Sequence, residues 1–443
     1  MNIAVIGTGY VGLPTGVGFA ELGNNVICID KLSAKIDMLN SGKITIFEEG
    51  LEDLYHKNRS EGVLKFSSDI GDIEWADVVI IAVGTPTHPV TKEADLKYLY
   101  QAAEDIAPHL KKYTVVAIKS TVPVSTGESV EKLIAKMNPS ADFDLVSLPE
   151  FLREGFAVYD FFNPDRIVIG TDSERAVLIL KRLYEPFEGK TKILVTARNS
   201  AEVIKYASNA FLAMKVLYIN EISNFCEKCG ARIEEVALGI GLDSRIGPKF
   251  LKPGPGYGGS CFPKDTLALA NMAKRCNVNL HLTDTAIEKN EQRKIDMAHR
   301  IAELVPDGAT VAVLGLTYKS GTDDVRESPA VDICRELLRL GVALRAYDPK
   351  GMNNAREQLK DAVYYAKNPY DAAGGADILA ILTEWSEFAK LNFRRVKAAM
   401  RQAKIIDLRN LLARDQVEGF EYHRLGEGCL ESEKMREQIA PIN

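Results

Sequence analysis

"NIAVIGTGYVGLPTGVGFAELGNNVICID" occupies residues 2–30 and decides the fold of the first part of the chain. A short apolar run ends at Gly7. A helical pattern follows Gly12, and a second apolar run ends at Asp30. Gly7, Gly9 and Gly12 stand in GxGxxG register. The first glycine permits a tight turn, and the second lets the backbone reach a pyrophosphate. The third allows the helix to pack on the strand, with its N-terminus facing the phosphates. Tyr10 and Val11 complete the same turn. A carboxylate at Asp30 can accept both ribose hydroxyls of an adenosine and would repel a 2′-phosphate, so the unit is expected to take NAD rather than NADP.

The pattern continues outward. "DVVIIAVG", "TVVAIKST", "DLVSLPE" and "RIVIG" are short Val- and Ile-rich runs separated by helical stretches, the mark of a doubly wound parallel sheet. "VGTPT" (83–87) and "KSTVP" (119–123) close two of these strands with small or hydroxyl residues, where open sheets bind ligands. Residues 199–229 contain neither Pro nor Gly and keep apolar residues at helical spacing. They read as one long helix with Ser200 as its N-cap. Its many apolar residues, Phe211, Leu212, Met214, Leu217 and Ile219 among them, predict burial on several sides in a homodimer or larger homo-oligomer. Strand–helix alternation returns in "TVAVLG", "ALRAYD", "DILAILT" and "AKIIDLR". The expected fold is α/β, with two Rossmann-like doubly wound domains, 1–198 and 301–443, joined by a helical domain, 199–300. The charged residues after about 430 are expected to be mobile.

Composition narrows the function. The 443 residues carry a net charge of −6, which does not favour nucleic acid or an anionic membrane surface. No apolar run reaches the roughly 18–20 residues of a membrane span, and no basic leader precedes the first strand, so a cytoplasmic protein is expected. The odd set of seven cysteines reads as free thiols in a reducing compartment. "CEKC" at 226–229 has no second pair and no histidine cluster, so no metal site is expected.

"GPGYGGSCFPKD" (254–265) gives up much conformational entropy just ahead of Cys261. By itself it reads either as a flexible loop or as a bed that presents the thiol to a ligand. Together with "GTGYVG", "PEFLREG" (149–155), "NPDRIVIG" (163–170), "AEVIKYASNAFLA" (201–213) and "GLTYKSGTDDVRESPA" (315–330), it forms an ordered set. In that set the chain resembles the nucleotide-sugar 6-dehydrogenases, from Met1 to about Arg409. "SCFPKD" is more similar to the UDP-glucose branch than to the GDP-mannose or N-acetylmannosamine branches.

The resemblance implies oxidation of the primary alcohol of UDP-glucose to the carboxylate of UDP-glucuronate with two NAD. A planar aldehyde is a poor hydride donor, so a thiolate must add to it before the second transfer; the thioester that results is cleaved by water. Cys261 is implied as that nucleophile, activated by Lys264 or by a helix N-terminus after Asp265. Lys205 and Asn209, four apart on the long helix, would hold the oxyanion at C6. Asp265 would order a water beside Lys205. Glu150 is implied as the base for thioester hydrolysis, and Glu154 as a contact to both ligands. Phe151, Leu152 and Arg153 would lie along the substrate. On the cofactor side the resemblance implies Lys35, Thr85, Pro86, Ser120, Thr121, Lys264 and Arg326. The second α/β domain keeps Gly315 without GxGxxG, and would hold UDP instead of a second dinucleotide. Phe250, Leu251, Tyr257 and Gly258 would surround the nucleotide, with Tyr318, Lys319 and Arg409 at the sugar. Arg245 is implied to reach a neighbouring subunit's substrate.

Three alternatives share part of the pattern. One is the same chemistry on another nucleotide sugar. Another is a two-electron hydroxyacid-type dehydrogenase, which needs no cysteine and has no second α/β domain. The third is a catalytically silent nucleotide-sugar binder, against which the intact Cys261, Lys205 and Asp265 count.

Overall fold

In the computed structural model, which describes residues 1–428, the apolar runs of the sequence become the inner strands of two sheets. The first sheet has eight strands: β1 (Asn2–Ile6), β2 (Asn25–Ile29), β3 (Leu64–Ser67), β4 (Val78–Ile81), β5 (Thr114–Ile118), β6 (Phe143–Ser147), β7 (Arg166–Gly170) and β8 (Lys192–Thr196). Their order is β3-β2-β1-β4-β5-β6-β7-β8. The apolar residues alternate between two cores. Val5, Val78, Ile80, Val115 and Val146 face one layer of helices, and Ala4, Ile29, Val79, Ile81 and Val116 the other. Burial on both faces explains why these strands are continuously apolar.

The second sheet has six strands: β9 (Thr310–Leu314), β10 (Ala343–Tyr347), β11 (Tyr364–Tyr365), β12 (Ile378–Ile381), β13 (Lys404–Asp407) and β14 (Glu421–Arg424). Their order, β11-β10-β9-β12-β13-β14, repeats the inner order of the first sheet, and every pairing is parallel. The expected pair of doubly wound sheets, with a long helix linking them along the chain, is therefore present. The described chain divides into two compact units: residues 1–208 with 267–278, and residues 209–266 with everything from 279 onward.

The structure departs from the sequence reading in three places. β6 and β7 pair antiparallel, through Ser147 and Gly170, so β7 and β8 run against the other strands. The 148–165 connection contains only one short helix, Ala157–Phe162. This connection is as long as the one between the parallel β1 and β2, but a six-residue helix rises only about 9 Å, short of the roughly 16 Å needed to return along a five-residue strand. The long helix spans Arg198–Cys229, so Ser200 lies inside its first turn instead of capping it. The helix carrying the "CFPKD" motif spans Phe262–Arg275 and so begins before Asp265 rather than after it. Cys28, Cys226, Cys229, Cys261, Cys276 and Cys334 are free thiols. Cys429 and the mobile tail expected after 430 lie outside the described residues.

Candidate active site

At the end of β1 the chain turns through Gly7, whose φ of +100° favours glycine, and the Gly7 amide donates to the Ile29 carbonyl at 2.7 Å. A Cβ on Gly7 would stand 2.7 Å from the Ala82 carbonyl oxygen, and one on Gly12 would run into Gly7's own carbonyl. These two glycines are thus required by the protein. Gly9 is different, because a Cβ there would meet nothing within 4 Å. The bare backbone there leaves room for a pyrophosphate laid on the head of helix Gly12–Glu21. Asp30 Oδ2 accepts from the Thr8 amide at 3.0 Å and the Thr8 hydroxyl at 2.8 Å, and Lys35 Nζ lies 3.6 Å away. Burial works to raise the Asp30 pKa, but the bonds from Thr8 and Leu32 and the Lys35 charge outweigh it, so the carboxylate stays ionised. These residues fit an NAD whose ribose would meet Asp30.

The neighbouring strand ends are tied together. The Thr85 hydroxyl donates to the Thr121 carbonyl at 2.8 Å, and the Ser120 hydroxyl to the Val83 carbonyl at 2.7 Å. The Pro86 carbonyl accepts from the Asp95 amide at 2.7 Å. Ser120, Thr121, Ser147, Glu202 and Lys205 line one recess. Lys205 Nζ donates to Glu150 Oε1 at 2.9 Å, and both side chains are almost fully buried. The Leu152 amide donates to the other Glu150 oxygen at 2.5 Å. The Phe151 ring has two cations over it, Arg166 at 3.7 Å and Lys205 at 5.4 Å from its centre. Arg153 turns to Asp160, with a 2.5 Å bond, while Glu154 is half-buried on the same loop.

Sequence reading passed over two buried charges here. Burial pushes the Lys119 ammonium down to about 8; Glu150 opposes this and Lys205 reinforces it. Burial raises the Glu202 carboxyl despite bonds from the Gly127 and Ser125 amides and the Ser147 hydroxyl. A lysine directly after the all-apolar "TVVAI" was the available signal for Lys119.

The second unit gathers another group. The Asp265 amide donates to the Cys261 carbonyl at 2.8 Å, which makes Cys261 the residue at the helix start. The thiol is partly buried, with the Ser260 hydroxyl 3.6 Å from Sγ. Asp265 is fully buried between Asn209 Nδ2 at 2.6 Å and Lys264 Nζ at 2.5 Å. Gly259 packs on the Tyr318 ring, and a Cβ there would stand 2.6 Å from it. Gly258 lies against the Glu327 carbonyl and Pro329. The glycines of this loop thus make close approaches to protein, beyond any ligand they also serve. Arg409 donates to the Tyr318 and Leu382 carbonyls at 3.0 and 2.8 Å, and Lys319 lies 5.6 Å from the Tyr318 ring.

Other predicted residues border this group or point away from it. The Arg326 guanidinium is paired with Asp324 at 2.7 Å. Tyr257 is buried, its hydroxyl donating to the Ala286 carbonyl at 3.1 Å. Leu251 is buried as well, and the Phe250 ring centres 5.8 Å from Phe262. Arg245 is 87% exposed and bonds only its neighbour Asp243 among the contacts described.

Three family models match the chain in order: the NAD-binding domain of the UDP-glucose/GDP-mannose dehydrogenase family at residues 1–188, its central domain at 199–292 and its UDP-binding domain at 312–414. The chain is 48% identical over 435 residues to a UDP-glucose 6-dehydrogenase of Rhizobium meliloti, covering 96% of this chain and 99% of that protein. The chain belongs to the UDP-glucose/GDP-mannose dehydrogenase family. It is an NAD-dependent oxidoreductase. The UDP-glucose 6-dehydrogenase TuaD of Bacillus subtilis is 44% identical over 446 residues, covering 99% of this chain and 96% of that protein. Among solved structures, a UDP-glucose dehydrogenase from Pyrobaculum islandicum superposes with a TM-score of 0.87 at 34% identity, covering 95% of this chain and 96% of that one. Among the described residues no helix is long and apolar enough to cross a membrane, and no group of acidic, cysteine and histidine side chains has the makings of a metal site.

Proposed function

We propose that the chain oxidises UDP-glucose to UDP-glucuronate by removing four electrons through a covalent intermediate on Cys261. The observation that carries this reading is Cys261 at the start of helix Phe262–Arg275, one turn from the buried Asn209–Asp265–Lys264 group. We read residues 1–198 as the cofactor domain, 199–300 as the helical domain bearing the cysteine, and 301–443 as the UDP-sugar domain. The three family matches support that division.

Gly7–Gly12 and Asp30 would hold NAD, which when bound would supply the hydride acceptor. The chain's own residues manage the protons and the nucleophile. In the first oxidation the C6 hydroxyl gives its proton to the water that Asp265 would order, and Lys205 and Asn209 stabilise the oxygen as it becomes a carbonyl. Cys261 then adds as thiolate to the aldehyde carbon, forming a C–S bond and a tetrahedral thiohemiacetal. This carbon can donate a hydride where a planar aldehyde cannot, and its hydroxyl proton leaves as the thioester forms. A water deprotonated by Glu150 attacks the thioester, the C–S bond breaks, and the thiolate departs. Water supplies the second carboxylate oxygen, which balances the change from alcohol to acid.

Glu150→Gln keeps size and removes basicity. Mixed with UDP-glucose and NAD, this variant is expected to release a burst of about two NADH per site and then turn over roughly 100–10,000-fold more slowly. Intact-mass analysis should find one nucleotide-sugar adduct on Cys261. Steady turnover without an adduct would remove Glu150 from this role. An adduct on another residue would remove Cys261.

A UDP-N-acetylmannosamine dehydrogenase from Pyrococcus horikoshii superposes with a TM-score of 0.83 but only 29% identity, so the UDP-glucose reading is the better supported. Comparing kcat/KM for UDP-glucose, UDP-N-acetylmannosamine and GDP-mannose decides between them. We also propose a homodimer through the long helix. Phe211, Tyr218 and Phe225 recur at seven-residue intervals and are 61%, 54% and 62% exposed, a stripe that a second copy would cover. A fully active monomer in sedimentation would contradict this.

A further inference from the structure

Residues 254–259 form neither strand nor helix, yet their main chain is gripped closely. The Gly254 amide donates to Asn220 Oδ1 at 2.8 Å, and Arg293 Nε donates to the Gly254 carbonyl at 2.6 Å. Asn290 engages Tyr257 twice. Its Oδ1 accepts from the Tyr257 amide at 2.8 Å, and its Nδ2 donates to the Tyr257 carbonyl at 3.0 Å. This pair of bonds does for the loop what a neighbouring strand does in a sheet. Asn220, on the long helix, and Asn290 and Arg293, on helix His281–Ala302, are all buried. On the far side the Gly259 amide donates to the Arg326 carbonyl at 3.1 Å. Gly256 has a φ of +131°, and a Cβ there would stand 2.9 Å from Asn290 Oδ1, so the grip requires a bare backbone at that point.

Burying a guanidinium and two amides costs desolvation energy that apolar packing would not. What they add is direction, because each bond fixes a main-chain group at a defined angle. The segment they fix leads, within two residues of Gly259, into Cys261 at the helix start. We infer that Asn290, Arg293 and Asn220 are positioning residues for Cys261, holding residues 254–259 on one path so that the thiol is presented in a single orientation. The inference rests on the reading of Cys261 as nucleophile.

The test follows the thiol itself. Asn290→Leu removes both bonds to Tyr257 at nearly constant volume. Alkylation of Cys261 by iodoacetamide, followed by peptide mass across pH 6 to 9.5, should slow by roughly tenfold, with its midpoint moved, because the thiol no longer has a fixed place at the helix N-terminus. Single-turnover rates for the second hydride should fall roughly 10–100-fold, the scale of a misplaced reacting group. The affinity for NAD should stay within about threefold, since no cofactor contact is altered, while KM for UDP-glucose, whose nucleotide Tyr257 and Gly258 would border, should change less than the second-hydride rate. Should Asn290→Leu fail to fold, Asn220→Ala removes one bond and carries the same expectations at smaller size. Arg293→Lys keeps a charge near Gly254 and should fall between wild type and Asn290→Leu. A folded Asn290→Leu or Asn220→Ala with the wild-type alkylation profile and second-hydride rate would overturn the inference. Full turnover by Cys261→Ser would instead overturn the nucleophile reading. The alkylation profile of Asn290→Leu would still decide the loop's role.

Discussion

The two sheets open with the same turn and put it to different uses. In the first, Gly7 sits at φ +100° and donates to the Ile29 carbonyl; in the second, Gly315 sits at φ +95° and donates to the Tyr347 carbonyl. Each second strand runs on to an aspartate that accepts the amides after the glycine: Asp30 from Thr8, Asp348 from Leu316 and Thr317. From there the turns diverge. The first leads directly into helix Gly12–Glu21, whereas the second passes through a long loop before helix Pro329–Arg339 begins. Asp348 is also closed off by the Trp385 indole N–H at 3.1 Å and by the amides of Lys350 and Gly351. A Cβ on Gly315 would strike Thr383 as one on Gly7 would strike Ala82, but the second turn carries Thr317 where the first has Gly9, beside which the space is open. One topology thus yields a dinucleotide cradle only where a helix N-terminus follows at once and the aspartate retains spare capacity.

Matched substitutions can break this comparison. The largest effects are expected at the paired glycines. Gly7→Ala and Gly315→Ala each force a side chain into a left-handed backbone against close neighbours. Each should lower unfolding free energy by about 2–4 kcal/mol, read by denaturant melts. Only Gly7→Ala should also weaken NAD binding, by at least about tenfold; an equal loss from Gly315→Ala would mean that the second turn also serves the dinucleotide.

The paired aspartates should split more cleanly. Asp30→Ala should lower kcat/KM for NAD roughly 10–100-fold and narrow the preference over NADP, with a loss of about 1–2 kcal/mol of stability from the stranded Thr8 donors. Asp348→Ala strands several buried donors and should cost about 2–4 kcal/mol of stability with KM for NAD unchanged.

Smaller and pH-dependent effects are expected at the fifth-strand ends, where each sheet buries a charge. Lys119 follows β5, with its pKa pushed down to about 8 from an ordinary 10.5 by burial. Between those values the unfolded chain binds a proton that the folded chain does not, so stability should rise with pH by up to about 3 kcal/mol. Asp407 ends β13, and burial raises its carboxyl despite bonds from the Leu412, Arg409 and Leu411 amides and Tyr422. Just above pH 3.8 the folded chain holds the extra proton, so stability should fall as pH rises. Lys119→Met and Asp407→Asn should each flatten their own limb of the stability–pH curve. An unchanged alkaline limb in Lys119→Met would show that Lys119 keeps its charge when folded.

The inner strands were legible because burial on two faces demands unbroken apolar runs. β3, β8, β11 and β14 were not, since strands at or near a sheet edge keep exposed or half-buried residues and lose that signal. Of the site, the glycine cradle and Asp30 could be read from spacing, because that chemistry is local. Cys261, Lys205 and Glu150 were reached through the ordered motifs. Asn220, Asn290 and Arg293 escaped because each meets its partner across more than 30 residues of sequence, beyond any local period.

The central claim is that one dinucleotide site serves two oxidations of the same carbon. The most direct test is to consume a known amount of UDP-glucose with excess NAD and count the NADH formed. Two NADH are expected for each UDP-glucose, with UDP-glucuronate as the product. One NADH for each UDP-glucose, with an aldehyde released, would contradict it.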